Sequence, residues 1–221
     1  SLIYKVGKRI GAHAKRLGVH INFAPVTDIN TNPNNPIIGS RSFGEDKINV
    51  TLKSLAYLKG MQSEGIMGSA KHFPGHGDTS TDSHKTLPSI DFSAKRINNV
   101  ELYPYKELIK NQLSGVMVAH MEVPSLEKTP KLPSTLSKNI ITKLLKKKLK
   151  FEGLIITDAM DMKGVVDFNK DESADVNALL AGNDVLLMPD DLDQSTRSIK
   201  KALEEGVISE KRLSYSVKKI L

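Results

Sequence analysis

"IMGSAKHFPGHGDTSTDSH" runs from Ile66 to His84. It opens as a short apolar run, Ile66–Phe73, that ends on Lys71, His72 and Phe73. The residues after Phe73 are mostly Pro, Gly, Ser, Thr and Asp, and Lys71–His84 holds half of the chain's 6 histidines. A short apolar run bounded by turn residues reads as a strand buried on both faces. Pro74 and Gly75 then forbid a helix through the histidines. The stretch is therefore a buried strand, polar near its C-terminal end, that opens into a long polar loop.

The same unit recurs in kind, though not in sequence, on both sides. The other strands are "VHINFAPVTDI" (Val19–Ile29), "GVMVAHMEV" (Gly115–Val123), "GLIITDAM" (Gly153–Met160) and "NDVLLMP" (Asn183–Pro189). Helical patterns lie between them near Asp46–Ser63, Ala94–Leu113, Ser137–Lys150, Glu172–Ala181 and Asp193–Glu205, with a last helix over about Ser209–Leu221. Alternating β and α segments predict a parallel α/β protein. Asp28, Lys71, His72, His120 and Asp158 each sit at or just past the C-terminal end of a strand. In a (β/α)8 barrel those ends share one face, where active sites lie. In a doubly wound sheet they line one edge. Five units are read and a barrel needs eight, so either the sheet is open or three units lie upstream of Ser1.

Composition narrows the class. The 221 residues make one domain of ordinary size, with 39% hydrophobic and 26% charged residues, as in a globular protein. No apolar run reaches the roughly 18 residues of a membrane span. There are no cysteines, hence no disulfide and no thiolate metal site. The formal charge is +7, which raises nucleic-acid binding. The densest basic run, "KLLKKKLK" (Lys143–Lys150), argues against it. Leu144, Leu145 and Leu149 join Ile140 and Ile141 in an apolar stripe at helical spacing, which leaves the lysines on the solvated face. The N-terminal "SLIYKVGKRIGAHAKRLG" carries no signal-peptide pattern and reads as a helix already under way. Ile3, Val6, Ile10 and Ala14 share one face and Gly18 closes it. The compartment is left open.

Several chemistries fit the polar residues. His72 and His76 have the i, i+4 spacing of a zinc-binding helix, but the Pro and Gly between them exclude that helix. A His–carboxylate metal site built from different strand ends is the metal-dependent alternative. "PGHGDTSTD" lacks the lysine of a phosphate loop and carries two aspartates that repel phosphate. In an extended chain Asp82 and His84 project to one side. Asp82 is then able to orient the imidazole and favour its protonated form, as for a general acid/base. The competing reading is a surface loop whose Asp and His cap turns. Asp158 is likewise either the cap of the next helix or a nucleophile at a strand end. "NTNPNNPIIGSRSFGED" (Asn30–Asp46) is long for a βα connection, as functional loops are.

Taken together, "NFAPVTDIN", "IGSRSFGED", "AKHFPGHGDTSTDSHKTLP", "VMVAHMEVP", "GLIITDAMDMKGV" and "ALLAGNDVLLMP" resemble glycoside hydrolase family 3, and more narrowly its bacterial β-N-acetylglucosaminidases. The pieces occur in the family's order over nearly the whole chain. The "KHFPGHG…DSH" element is the most specific, since most other branches lack it and use a glutamate from another region. The resemblance implies a (β/α)8 TIM barrel and a retaining, two-step hydrolysis of terminal β-linked GlcNAc, with no cofactor or metal. It implies Asp158 as nucleophile, His84 as acid/base with Asp82 as its partner, and Arg41, Lys71 and His72 as sugar-binding residues, with His120 a further candidate. His76 is expected to serve the turn. The family's upstream "D-x-E-G-G"-like strand end, with two strands before it, does not appear here. The expectation is thus that residues 1–221 are the latter part of one catalytic barrel domain, about strands four to eight. The missing N-terminal segment would be needed for a complete, active fold. The expected partner is a GlcNAc-containing glycoside or muropeptide, not nucleic acid or a membrane. A β-glucosidase or β-xylosidase of the same family, a metal-dependent barrel hydrolase and a basic binding module are the alternatives.

Overall fold

The computed structural model describes residues 1–79, 87–166 and 173–221. They fall into two compact units. The described residues of Ser1–Ser80 and Phe92–Met117 form the first, those of Thr81–Asp91 and Val118–Leu221 the second.

In the first unit a helix, α1 (Leu2–Arg16), precedes the short strand β1 (Ile21–Asn22). A helical turn, Gly39–Arg41, and helix α2 (Lys47–Gln62) lead to strand β2 (Met67–Phe73). Helices α3 (Ala94–Asn99) and α4 (Tyr103–Lys110) precede β3 (Gly115–Val118), whose last residue belongs to the second unit. β1 and β2 are parallel, with Ile21 opposite Met67 and Asn22 opposite Gly68. The chain predicted as one strand from Val19 to Ile29 pairs only there and at Val26–Lys71. Pro25 has no N–H to offer a ladder; its carbonyl accepts the Lys71 N–H instead (3.1 Å). The helix predicted over Ala94–Leu113 is two helices, because Pro104 fits only a first turn and restarts the helix at α4.

On α1 the predicted face holds at Ile3, Ile10 and Ala14, which are half-buried, and fails at Val6. Val6 is 41% exposed, while Gly7 and Gly11 are buried. They let α1 lie directly on α2, where a Cβ on Gly7 would sit 2.2 Å from the Tyr57 carbonyl oxygen and one on Gly60 2.2 Å from that of Tyr4. The contact is backbone against backbone, which an apolar-periodicity argument does not see. As predicted, the helix is followed by a left-handed glycine, Gly18 at φ +72°.

In the second unit β4 (Leu154–Ala159) pairs in parallel with β5 (Val185–Leu187), with a register irregularity between Ile156 and Ala159. The wide-turned helix Asn139–Lys148 buries Ile140, Ile141, Leu144 and Leu145 of the predicted stripe, while its fifth member, Leu149, is the half-buried C-cap. Helices α5 (Lys163–Val166), α6 (Ala174–Ala181), α7 (Leu192–Glu204) and α8 (Glu210–Ile220) come after β4, with β5 between α6 and α7. Leu136, Met160, Val165 and Ala178 form one apolar cluster, and Leu179, Ala202 and Ile208 another. One lysine departs from the predicted solvated face. Lys146 turns toward the buried Asp184 carboxylate, 3.9 Å away, which also meets Arg212 and Lys219 and accepts the Ser216 hydroxyl (2.6 Å). Burial, aided by the Arg212 and Lys219 charges and against the pull of the Asp184 carboxylate, lowers the Lys146 pKa to about 8. No helix among the described residues is long and apolar enough to cross a membrane.

Candidate active site

In the first unit the chemistry is organised by Asp28, just past the Val26–Lys71 pairing and buried. Its carboxylate accepts the His72 N–H at 3.2 Å on each oxygen and the His76 N–H at 2.7 Å. Its Oδ2 lies 2.7 Å from His72 Nδ1. A carboxylate only accepts, so Nδ1 carries the hydrogen. Burial pushes the Asp28 carboxyl up, but the His72 and His76 imidazoles and the hydrogen bonds outweigh it, and its pKa lies below the ordinary value. Burial first, then the Asp28 charge, raises the Tyr105 phenol well above its usual range.

His72 is therefore fixed in orientation, and its other nitrogen faces Arg41. The Arg41 Nη2 is 3.4 Å from His72 Nε2, and Arg41 also donates to the Ile37 carbonyl (3.2 Å). A guanidinium only donates, so Nε2 is an acceptor. A hydroxyl can both accept from a guanidinium and donate to an imidazole, so this pairing suits a polyol. Lys71, half-buried in β2, is set by its backbone: its N–H bonds Pro25 and its carbonyl accepts the Thr27 N–H (2.7 Å) and hydroxyl (3.1 Å). The peptide bond between Lys71 and His72 is cis, as are Ala24–Pro25 and Phe73–Pro74.

The turn after β2 is built as its residues require. Gly75 has φ +139°, and a Cβ on Gly77 would lie 1.9 Å from the Ile29 carbonyl oxygen. His76 serves this turn through Nδ1 on the Thr79 hydroxyl (2.6 Å). The long loop 30–46 holds the turn in place. Asn35 donates to the His76 carbonyl (2.8 Å), Asn32 to that of Thr79 (3.2 Å), and Thr31 to the Asp78 carboxylate (2.8 Å). Asp82 and His84 lie outside the described residues.

In the second unit Asp158 is half-buried at the end of β4, and its Oδ1 accepts the Ala159 N–H (3.0 Å). His120 is buried two residues past β3. Its Nδ1 is 2.7 Å from the Thr135 hydroxyl and its Nε2 is 2.9 Å from the Ala159 carbonyl oxygen. Burial lowers its pKa, against the Asp158 and Asp161 charges and the backbone contacts.

Arg41 and His72 are thus brought together in one unit, and His120 and Asp158 in the other. Asp28 is the organiser that sequence reasoning noticed only as a polar strand end. Nothing local ties it to a histidine 44 residues away. Among the described residues, no three His, Asp or Glu side chains gather as metal ligands would.

Parallel βα units with their ionisable residues at the C-terminal strand ends place the chain among the α/β enzymes. The chain belongs to glycosyl hydrolase family 3, whose N-terminal-domain profile matches residues 1–221. It is 37% identical to a β-hexosaminidase A of Pseudoalteromonas piscicida over 98% of its length, and 30% identical to a β-N-acetylglucosaminidase/β-glucosidase of Cellulomonas fimi over 96%. It spans 39% of each of those relatives. The solved family 3 β-N-acetylglucosaminidase of Paenibacillus sp. str. FPU-7 superposes on 99% of the chain with a TM-score of 0.93 at 37% identity; the match covers 42% of that structure.

Proposed function

We propose that this chain is part of a retaining exo-β-N-acetylglucosaminidase, acting on terminal β-linked GlcNAc in glycosides such as muropeptides. In this reading residues 1–221 supply about strands four to eight of one (β/α)8 catalytic barrel. Asp158 carries the proposal: a half-buried carboxylate at a strand end with one oxygen held by the next amide, in a family of glycoside hydrolases. Its carboxylate attacks the anomeric carbon while the bond to the leaving oxygen breaks, and His84 protonates that oxygen. Water then attacks the glycosyl ester, gives its proton to His84 and releases Asp158. Asp82 orients His84. A histidine suits both steps, because its unperturbed pKa near 6.5 lets it give and take a proton near neutrality. Arg41, Lys71 and His72 bind sugar hydroxyls; the Arg41–His72 pairing supports this for two of them.

The test is trapping with a slow fluorinated β-GlcNAc analogue on the full-length protein, then peptide mass spectrometry. A label on Asp158 is expected. Turnover of a chromogenic β-GlcNAc substrate with the label elsewhere overturns the nucleophile. The Cellulomonas fimi relative, whose name pairs two activities, favours one second reading: β-glucosidase activity. Faster hydrolysis of the matched aryl glucoside than of the aryl β-GlcNAc would establish it.

A further inference from the structure

We propose that His120 is a positioning residue for Asp158: a neutral imidazole, with its hydrogen on Nε2, that clamps the carbonyl of Ala159, the residue whose N–H holds the Asp158 carboxylate. This rests on the reading of Asp158 as nucleophile.

Three observations combine. First, a carbonyl oxygen can only accept, so the 2.9 Å contact to Ala159 places a hydrogen on His120 Nε2. Second, the partner of Nδ1 is the Thr135 hydroxyl at 2.7 Å, which is able to donate and so complete the neutral tautomer. Burial favours the uncharged ring over the pull of Asp158 and Asp161. Third, the residue whose carbonyl His120 holds is the one whose N–H donates to Asp158 Oδ1 at 3.0 Å. Thr135 is itself fully buried, and its carbonyl accepts from the Asn183 amide at 2.8 Å. Asn183 thus fixes Thr135, Thr135 fixes His120, His120 fixes the Ala159 carbonyl, and the Ala159 N–H in turn holds the carboxylate. Both ring nitrogens of His120 are spent on protein groups. Its role is to set the carboxylate, leaving Oδ2 for attack, rather than to hold the sugar.

A nucleophile loses rate steeply when its geometry slackens. With His120→Ala in the full-length protein, the rate of Asp158 labelling by the saturating fluorinated trap falls roughly 10–100-fold, while KM for aryl β-GlcNAc moves less than about threefold. His120→Gln restores most of the rate, because its side-chain amide offers one donor for Ala159 and one acceptor for Thr135. A rise in KM with an unchanged labelling rate would make His120 a sugar ligand and overturn the proposal. So would a labelling rate within twofold of the parent. Nitrogen NMR on the unmodified protein removes any dependence on a variant folding: His120 should show a protonated Nε2 and a bare Nδ1 at neutral pH. Both nitrogens protonated would overturn the neutral clamp. If instead the parent's label falls on another residue, it is the nucleophile reading that fails, and the nitrogen spectrum still decides the tautomer.

Discussion

Replacing Asp28 by Asn exchanges one carboxylate oxygen for an amide nitrogen and tests how the first unit is organised. The carboxylate takes two 2.7 Å contacts, from the His76 N–H and His72 Nδ1, besides the longer His72 N–H bonds. All of this happens at a buried group. In the variant the amide oxygen keeps one short contact and the amide N–H2 meets the other. The retained bond loses its charge, worth about 1 kcal/mol, and the opposed donor costs about 1–3 kcal/mol. Asp28→Asn should therefore destabilise the protein by about 2–4 kcal/mol at pH 7, read by urea unfolding. One escape is open to His72: its hydrogen moves to Nε2, which then opposes the Arg41 guanidinium at 3.4 Å. Under the proposed function, KM for aryl β-GlcNAc should rise as a result. The pH dependence has a definite sign. The Asp28 pKa is depressed on folding from 3.8, so its contribution is complete above that value and is lost as pH falls through the lower, folded pKa. The gap between parent and variant should be flat from about pH 5 to 8 and close in acid. A gap under about 0.5 kcal/mol at pH 7 would refute the idea that a charged carboxylate organises this turn.

Gly60→Ala and Gly7→Ala each drive a Cβ to within 2.2 Å of a backbone oxygen. Each should lower the urea midpoint by the equivalent of about 1–3 kcal/mol or more, despite alanine's better helix propensity. Lys146 is held at about 8 when folded against 10.5 unfolded, so its charge opposes folding below that window, and stability should rise with pH between the two values. Lys146→Met should abolish that rise and leave the protein at least as stable at pH 7, as thermal melts across the range would show. For the proposed chemistry, Asp158→Ala should abolish turnover, and His84→Ala should slow it roughly 10²–10⁴-fold. Asp82→Ala should do less, because the imidazole remains; the reverse order would exchange their roles.

Much of the frame was legible along the chain. Apolar runs with polar ends marked the strand regions, and amphipathic spacing located helices such as α7, with Asp191 as its N-cap. Boundaries failed where proline removed a donor, at Pro25 and at Pro104, because apolar periodicity does not register a missing N–H. The side chains of Lys71, His72 and Asp158 were legible as strand-end residues, since alternation and strand length are local properties. Their partners were not.

The sequence by itself determined the parallel α/β class, the strand-end position of the ionisable residues and the motif order that marks the family, all set by short-range pattern and residue type. Only the tertiary structure decided that Asp28 holds His72 from 44 residues away, that His120 reaches across 39 residues to Ala159, that Lys146 turns inward to Asp184, and that α1 meets α2 on glycines. Those pairings depend on which strand and helix ends the packing brings within hydrogen-bond or van der Waals reach. Local periodicity carries no term for that distance.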